Sequence, residues 1–302
     1  MNRLQANLCL LCVTLCWSAE IVLYNCIPSG VPAFATTCAT SLGGALLTWA
    51  AFPRRFAATL REGGRGLLLG GMVVAALNAA YNTLYLHGAK SFDVASGAFT
   101  ACMTVVVLPV VLLSMRRRIP PGTWLSVALV FAGILLALGP SLRAAQAPGL
   151  AVMGAGCLLR ALCIVLLADL AKKHDPVAVA ILMEGFAGLF SLAGWLVEDP
   201  RFVAGLPASR MLAAAWAVYA YFIVAFAETL NVFAMRRVTA ADATVVYSLE
   251  IVFSIAWGML LPAGIVERFA LTPAIVLGAA LVVAGSIAEI ADPGGGRKEA
   301  EA

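Results

Sequence analysis

Residues 8–26, LCLLCVTLCWSAEIVLYNC, decide the class of the fold. Nineteen residues at the helical rise of 1.5 Å cover about 28 Å, close to the thickness of a bilayer's hydrocarbon core. A single charge interrupts them, Glu20, and no other charge occurs between Arg3 and Arg54. An acidic side chain at mid-bilayer costs about 2.5–3.5 kcal/mol on insertion scales, so a carboxylate here needs a partner or a purpose. A secretory leader is the rival reading, because Arg3 precedes the run and Ala33-Phe34-Ala35 resembles a cleavage site. The run is long enough to span, and the repeat described below needs it, so it reads as a transmembrane helix.

Composition extends that reading to the whole chain. Of 302 residues, 62% are hydrophobic and 12% charged, and the mean hydropathy is +0.96. Soluble domains carry about 25% charged residues, and no soluble fold of this length hides so much apolar surface. Spanning-length apolar runs lie near residues 8–26, 33–52, 66–87, 94–115, 122–139, 149–170, 177–197, 211–234, 240–261 and 271–289. The expected fold is therefore all-α and polytopic, with ten transmembrane helices. Lys and Arg are unevenly shared between the two sides of such a bundle. Arg3, Arg54, Arg55, Arg61, Arg65, Arg116 to Arg118, Lys172, Lys173, Arg236, Arg237, Arg297 and Lys298 fall on one side. Only Lys90, Arg143, Arg201, Arg210 and Arg268 fall on the other. The positive-inside rule then places both termini in the cytoplasm. The modest net charge of +4 serves orientation and implies no nucleic-acid partner.

The chain also repeats itself. Asn82-Thr83-Leu84-Tyr85 in the third span matches Glu228-Thr229-Leu230-Asn231 in the eighth, an offset of 146. The same offset pairs Val94-Ala95 with Ala240-Ala241, and VFAGILLAL (130–138) resembles VVAGSIAEI (282–290). Five spans per half force the second half to enter the membrane upside down. The expected organisation is two inverted-topology repeats, residues 1–140 and 141–290, followed by a disordered, Gly-rich cytoplasmic tail, 291–302. Such repeats place a solute site near the midplane between the halves.

Several polar groups suit that site. Asn78, Tyr81, Asn82 and Tyr85 fall at i, i+3, i+4 and i+7, one face of the third span. That face must look at protein or water, because lipid offers no hydrogen bonds. Tyr221, Glu228 and Asn231 form the matching face of the eighth span. Glu228 lies within about 10 Å of its helix end, so cavity lining and snorkelling both stay open. Glu20 is about 18 Å into its helix, at or just past the midplane. Trp17, one turn earlier, offers a ring face to a cation. Arg160 in the sixth span is permanently charged and needs an anionic ligand or a carboxylate, with Glu20, Glu184 and Glu250 as candidate partners. An ion pair locking or gating the halves is an equally open role.

Other polar residues carry less. Cys9, Cys12 and Cys16 share a face, but no converging ligands accompany them, and cysteine packs well in apolar helices. His87 and His174 lie near span ends, outside any metal-like cluster. Glu267, Arg268 and Glu289 read as solvated. Phosphate loops, dinucleotide fingerprints and nucleophile elbows are absent from the sequence, so neither an enzyme nor an ATP-driven pump is expected, and no cofactor or metal is implied.

The opening MNRLQANLCLLCVTLCWSAE, then SLEIVFSIAWGML (248–260), Glu267 and LTPAIVLGAALVVAGSI (271–287) resemble the drug/metabolite transporter superfamily, specifically EamA-type permeases. The resemblance covers essentially the whole chain. Ser18 stands where that family commonly has Gly, and Ile251 replaces the Pro after Glu250. Pro262-Ala263-Gly264-Ile265 lengthens the approach to Glu267. The first half keeps Pro109 but has Thr104 where the second has Glu250. The resemblance implies a permease for a small metabolite and a structural or gating role for Glu250.

Four interior carboxylates, Glu20, Glu184, Glu228 and Glu250, face one guanidinium, Arg160. The expected function is accordingly a secondary transporter exporting a small cationic or zwitterionic metabolite, with protons as counter-substrate at Glu20. An uncoupled facilitator or importer of a neutral metabolite is the alternative, and so is a non-transporting binding, sensor or lipid-handling module. The expected partners are a small molecule, protons and the lipid bilayer, with a homodimer left open. The expected location is a bacterial inner membrane.

Overall fold

The structure is a computed structural model describing residues 1–28, 30–89, 102–117, 119, 121–138, 147–199, 201–206, 209–261 and 271–291. Among the described residues the chain is helical, without strands. Six helices are long and apolar enough to cross a membrane: Arg3–Tyr24, Pro53–Tyr85, Ala151–Lys173, Pro176–Glu198, Arg210–Met235 and Ala240–Leu260. Shorter apolar helices cover Thr104–Ser114, Gly122–Ala137 and Pro273–Ala288. The chain is an all-α, membrane-embedded protein. The Val94-Ala95 end of the fourth expected span, the loop with Glu267 and Arg268, residues 292–302 and the Glu289 side chain lie outside the description.

In chain order the elements are α1 (Arg3–Ser18), α2 (Glu20–Asn25), α3 (Ala33–Ala51), α4 (Pro53–Ala89), α5 (Thr104–Ser114), α6 (Pro121–Leu138), α7 (Ala147–Lys173) and α8 (Pro176–Glu198). Then come α9 (Arg210–Val218), a π-helical segment (Tyr219–Glu228) and α10 (Thr229–Met235) in one continuous run. The last are α11 (Ala240–Tyr247), α12 (Glu250–Leu260) and α13 (Pro273–Ala291). Helix starts follow local chemistry. Asn2 and Gln5 form a reciprocal capping box at α1, as Thr239 and Asp242 do at α11. Asp175 caps α8, with Pro176 in the first turn, where a missing N–H costs nothing.

Two interruptions matter for function. Between α1 and α2 the chain makes a tight turn at Ala19, whose N–H bonds Cys16 O at 3.1 Å. Between α11 and α12 it turns at Ser248–Leu249. Glu20 and Glu250 are the first residues after these breaks. A third irregularity, Gly64 with φ +53° and ψ −147°, splits α4 into an arginine-bearing lead-in and an apolar segment.

Packing is close where side chains are small. The main pairs are α3 with α8, α4 with α7 and α8, α6 with α13, α3 with the π segment, and α1 with α10. At the α6–α13 crossing a Cβ on Gly133 would lie 2.5 Å from Gly278 O, and one on Gly285 would lie 2.8 Å from Ser126 O. Only glycine admits so close an approach of the two backbones. The largest apolar core includes Leu10, Val13, Leu67, Val74, Met183, Val232 and Met235. Its outer end carries ion pairs joining distant segments: Arg3 with Asp242 at 3.2 Å, Arg55 with Asp175 at 2.6 Å, and Arg117 with Asp169.

Candidate functional site

Bordered by members of that apolar core, among them Trp17, Ile164, Ile223 and Tyr247, the helices part around a polar cavity. It encloses ≈ 850 Å³ of space not filled by atoms, its mouth included. From α1 and α2 come Trp17, Glu20 and Tyr24, and from α4 come Asn78, Tyr81, Asn82 and Tyr85. Arg160 of α7 and Glu184 of α8 face it, as do Glu228 of the π segment and Glu250 of α12. Every residue singled out from sequence is thus at its wall except two. Asn231 is buried just behind Glu228 and donates from Nδ2 to Glu228 Oε2 at 3.2 Å. Tyr221 is 55% exposed and points outward.

The Tyr221 expectation is corrected by the helix type. Its spacing to Glu228 and Asn231 matches one α-helical face at about 100° per residue. Residues 219–228 instead wind as a π-helix, with i→i+5 bonds and wider turns. Residues five and nine or ten apart then share a face, which turns Tyr219 and Ile223 toward the cavity with Glu228 and sends Tyr221 out. The close neighbour of this wide coil is α3, where a Cβ on Gly44 would lie 2.3 Å from Val224 Cγ1.

Each charged group has distinct company. Glu184, only 3% exposed, accepts from Ser41 Oγ at Oε2 (2.7 Å) and from Asn78 Nδ2 at Oε1 (3.2 Å). The same Asn78 accepts from Arg160 Nη1 through Oδ1 at 3.2 Å. Arg160 therefore reaches Glu184 through an amide relay, and among the described residues it forms no ion pair with Glu20, Glu184 or Glu250. Its guanidinium packs over two rings, 4.6 Å from the Trp17 centroid and 5.0 Å from that of Tyr81. The cation that Trp17 serves is thus the protein's own. A desolvated cation–π contact contributes about 2 kcal/mol, which offsets part of the cost of holding a guanidinium away from bulk water.

Glu20 Oε1 accepts from both Tyr24 and Tyr219 hydroxyls. The two phenol oxygens are 2.9 Å apart and hydrogen-bonded to each other as well, either one able to donate. Glu228, 8% exposed, is buried rather than snorkelling. Its partner Asn231 accepts from Tyr247, whose ring packs 4.8 Å from Trp17. Glu250 accepts no hydrogen bond and joins no ion pair among the described residues. Its electrostatic neighbours are Glu20 and Arg160.

The rings form a continuous arc. Tyr219 meets Tyr24 at 5.6 Å, Tyr24 meets Tyr85 at 6.4 Å, and Tyr85 meets Tyr81 at 5.8 Å. Arg160 then bridges Tyr81 to Trp17, and Trp17 leads to Tyr247. Sequence reading missed Tyr24, Tyr219 and Tyr247. Tyr24 was findable, four residues after Glu20 on one helical face. A Thr36, Thr37, Thr40 and Ser41 stripe of α3 also lines the cavity and shows the same spacing signal. Those hydroxyls explain why α3, though 19 residues long, is not among the six strongly apolar helices.

Some side chains stay outside the site. His87 is exposed, its Nδ1 2.9 Å from Thr83 O. All eight cysteines are free, and no metal-binding group of His, Cys, Asp or Glu occurs among the described residues. Ser18 accepts from Trp257 Nε1 at 2.9 Å, which ties α1 to α12.

No family model matches the chain, and no curated protein does either. Among solved structures, 28 chains match significantly. One of them, described in print only as a protein crystal structure, superimposes with a TM-score of 0.72. The match covers 94% of this chain and 96% of the other, at 17% identity. At that identity the likeness is one of fold alone: the chain adopts, over nearly its full length, a fold already seen in a crystal.

Proposed function

We propose that this chain is a secondary transporter of a bacterial inner membrane, built from ten spans as two inverted five-helix repeats, and that it exports a small cationic or zwitterionic metabolite. The observation that carries the reading is a polar cavity within the helical bundle that gathers Glu20, Arg160, Glu184, Glu228 and Glu250, with ion pairs between distant segments at the arginine-rich end. On the positive-inside rule that arginine-rich end is cytoplasmic, as are both termini. Alternating access closes such a central site at one end at a time.

Packing supports the inverted repeat. Exchanging spans one to five with six to ten maps α4–α7 contacts onto those of α1 with α10. It maps the α3–α8 and α6–α13 pairs onto themselves. Single contacts obey the same exchange. Cys102 Sγ lies 3.7 Å from Ser248 O, and these residues differ by the repeat offset of 146, as expected on a pseudo-twofold axis. An offset of 152, which aligns VFAGILLAL with VVAGSIAEI, turns the Gly133–Gly278 approach into the Gly285–Ser126 approach. The interrupted helices at Glu20 and Glu250 suit it too, since irregular backbone at membrane depth is tolerated where it lines a cavity. The resemblance to EamA-type permeases points the same way.

Coupling is assigned to Glu20. Four carboxyl groups and one guanidinium border the cavity, so full ionisation leaves a large uncompensated negative charge. Protons or a cationic solute must balance it. A proton on Glu20 and a solute in the same cavity then exclude each other, which gives exchange.

The test is flux in proteoliposomes under an imposed pH gradient, with amines, amino acids and nucleosides as the panel. Solute movement driven by the gradient is expected, and Glu20→Gln is expected to abolish the drive. Drive that survives Glu20→Gln overturns the coupling and leaves a facilitator. A protein that moves no solute under any gradient overturns transport in favour of a binding or sensor module.

A further inference from the structure

Most polar groups at the cavity wall already have protein partners. Both Glu184 oxygens are taken, by Ser41 and Asn78. Glu228 is held by Asn231, and Glu20 Oε1 by two tyrosines. Two groups of opposite charge are left with open valence. Arg160 has five N–H donors, and among the described residues only Nη1 finds an acceptor, the Asn78 amide oxygen. The Glu250 carboxyl finds no donor at all among them. Neither group is sealed in protein, since neither contributes a fully buried unsatisfied atom. Both border the same cavity. Trp17 and Tyr81 both hold the guanidinium at cation–π distance, and its N–H groups without an acceptor among the described residues can take a carboxylate in a bidentate fork. A carboxylate with no donor suits an ammonium.

We propose that the cavity binds a small zwitterion, its carboxylate on the Arg160 edge and its ammonium at Glu250. This rests on the cavity being the solute site, and it selects a zwitterion over a simple cation. It also divides labour among the acids: Glu250 meets the ligand, Glu20 is tied to its tyrosines, and Glu184 positions Arg160 through Asn78.

The experiment is equilibrium binding to the purified full-length protein in lipid nanodiscs. The probes are the protein-forming L-α-amino acids, γ-aminobutyrate and glycine betaine. The tightest binder is then compared with its decarboxylated amine and its des-amino acid. Removing either charge is expected to weaken binding about tenfold to a hundredfold, as loss of a charge-assisted bond does. Arg160→Gln should erase the preference for zwitterion over amine, with Arg160→Lys restoring part of it. Glu250→Gln should erase the preference for zwitterion over des-amino acid. Either variant is scored by this ratio, so a general loss of affinity from weaker folding does not mimic the result. Equal binding of the amine and the zwitterion overturns the proposal, as does the absence of binding by every zwitterion. Ratios unchanged in both variants overturn it too. Binding with these preferences but no flux in proteoliposomes would instead remove the transport reading and leave the anchors standing. Flux of a neutral or singly charged solute would do the reverse.

Discussion

At Arg160 the guanidinium packs against the Trp17 and Tyr81 rings, and its one hydrogen bond among the described residues goes to an amide that also serves Glu184. Asn78 is thus the hinge of the network, donating from Nδ2 and accepting at Oδ1. Asn78→Leu keeps the volume but strands Glu184 Oε1 and Arg160 Nη1 together. A destabilisation of about 1–3 kcal/mol is expected, read as a lower thermal unfolding midpoint in detergent. The two tyrosines of the π segment make a sharper contrast. Tyr219→Phe removes a hydroxyl from Glu20 and should lower solute flux. Tyr221→Ala removes an outward ring and should leave flux unchanged and stability within about 0.5 kcal/mol. The reverse order, with Tyr221→Ala lowering flux and Tyr219→Phe leaving it unchanged, would mean that the segment is wound as an α-helix. The sequence showed that Glu20 needed company, and Tyr24 at i+4 was legible as part of it. Tyr219 was not, because it arrives from a helix 199 residues away.

Among the elements, α3 and the π segment depend on each other. A ten-residue π stretch is wide and forgoes the tighter α-helical bonds, so it persists only where a neighbour fits it. Gly43 and Gly44 provide that fit, with Ala220 and Val224 set against them. Gly44→Val drives a branched side chain into Val224. It should cost about 1–3 kcal/mol by overpacking, while Gly43→Ala, facing Ala220 Cβ at 3.1 Å, should cost less. Comparative thermal unfolding of the two variants checks the order. Periodicity found the polar face of α4 without error, since Asn78 through Tyr85 wind as a regular α-helix. It misassigned the eighth span because the 3.6-residue repeat does not hold there. Nothing in YAYFIVAFAE announces a wider coil; neighbours across the bundle select it.

On the scale of the whole molecule, an apolar layer and, at the basic end, three ion pairs tie together segments far apart in sequence. These pairs are partly exposed, each worth about 0.2–1 kcal/mol and weakened by salt. Removing two of them with Arg55→Gln and Arg117→Gln should shift the population toward opening at that end by a few-fold to about tenfold. The readout is labelling of Cys102, a buried cavity residue, by a membrane-impermeant thiol reagent applied from the basic side. The assay uses a background in which the other seven cysteines are replaced by alanine or serine. Unchanged labelling would show that the apolar layer alone closes this end.

By itself the sequence determined that this is a helical membrane protein. It also pointed to many of the intervals in which the described helices lie and to most of the residues that meet in the cavity. These follow from apolar run length and local spacing, which act within one helix. Tertiary structure alone decided that Arg160 meets rings and an amide rather than an acid among the described residues, that Tyr219 faces inward and Tyr221 outward, and that Glu250 finds no donor among those residues. Each depends on which atoms of distant helices come within about 3–5 Å of one another. Hydrogen bonds and cation–π contacts fall off over that range and leave no trace in the spacing of residues along a single helix.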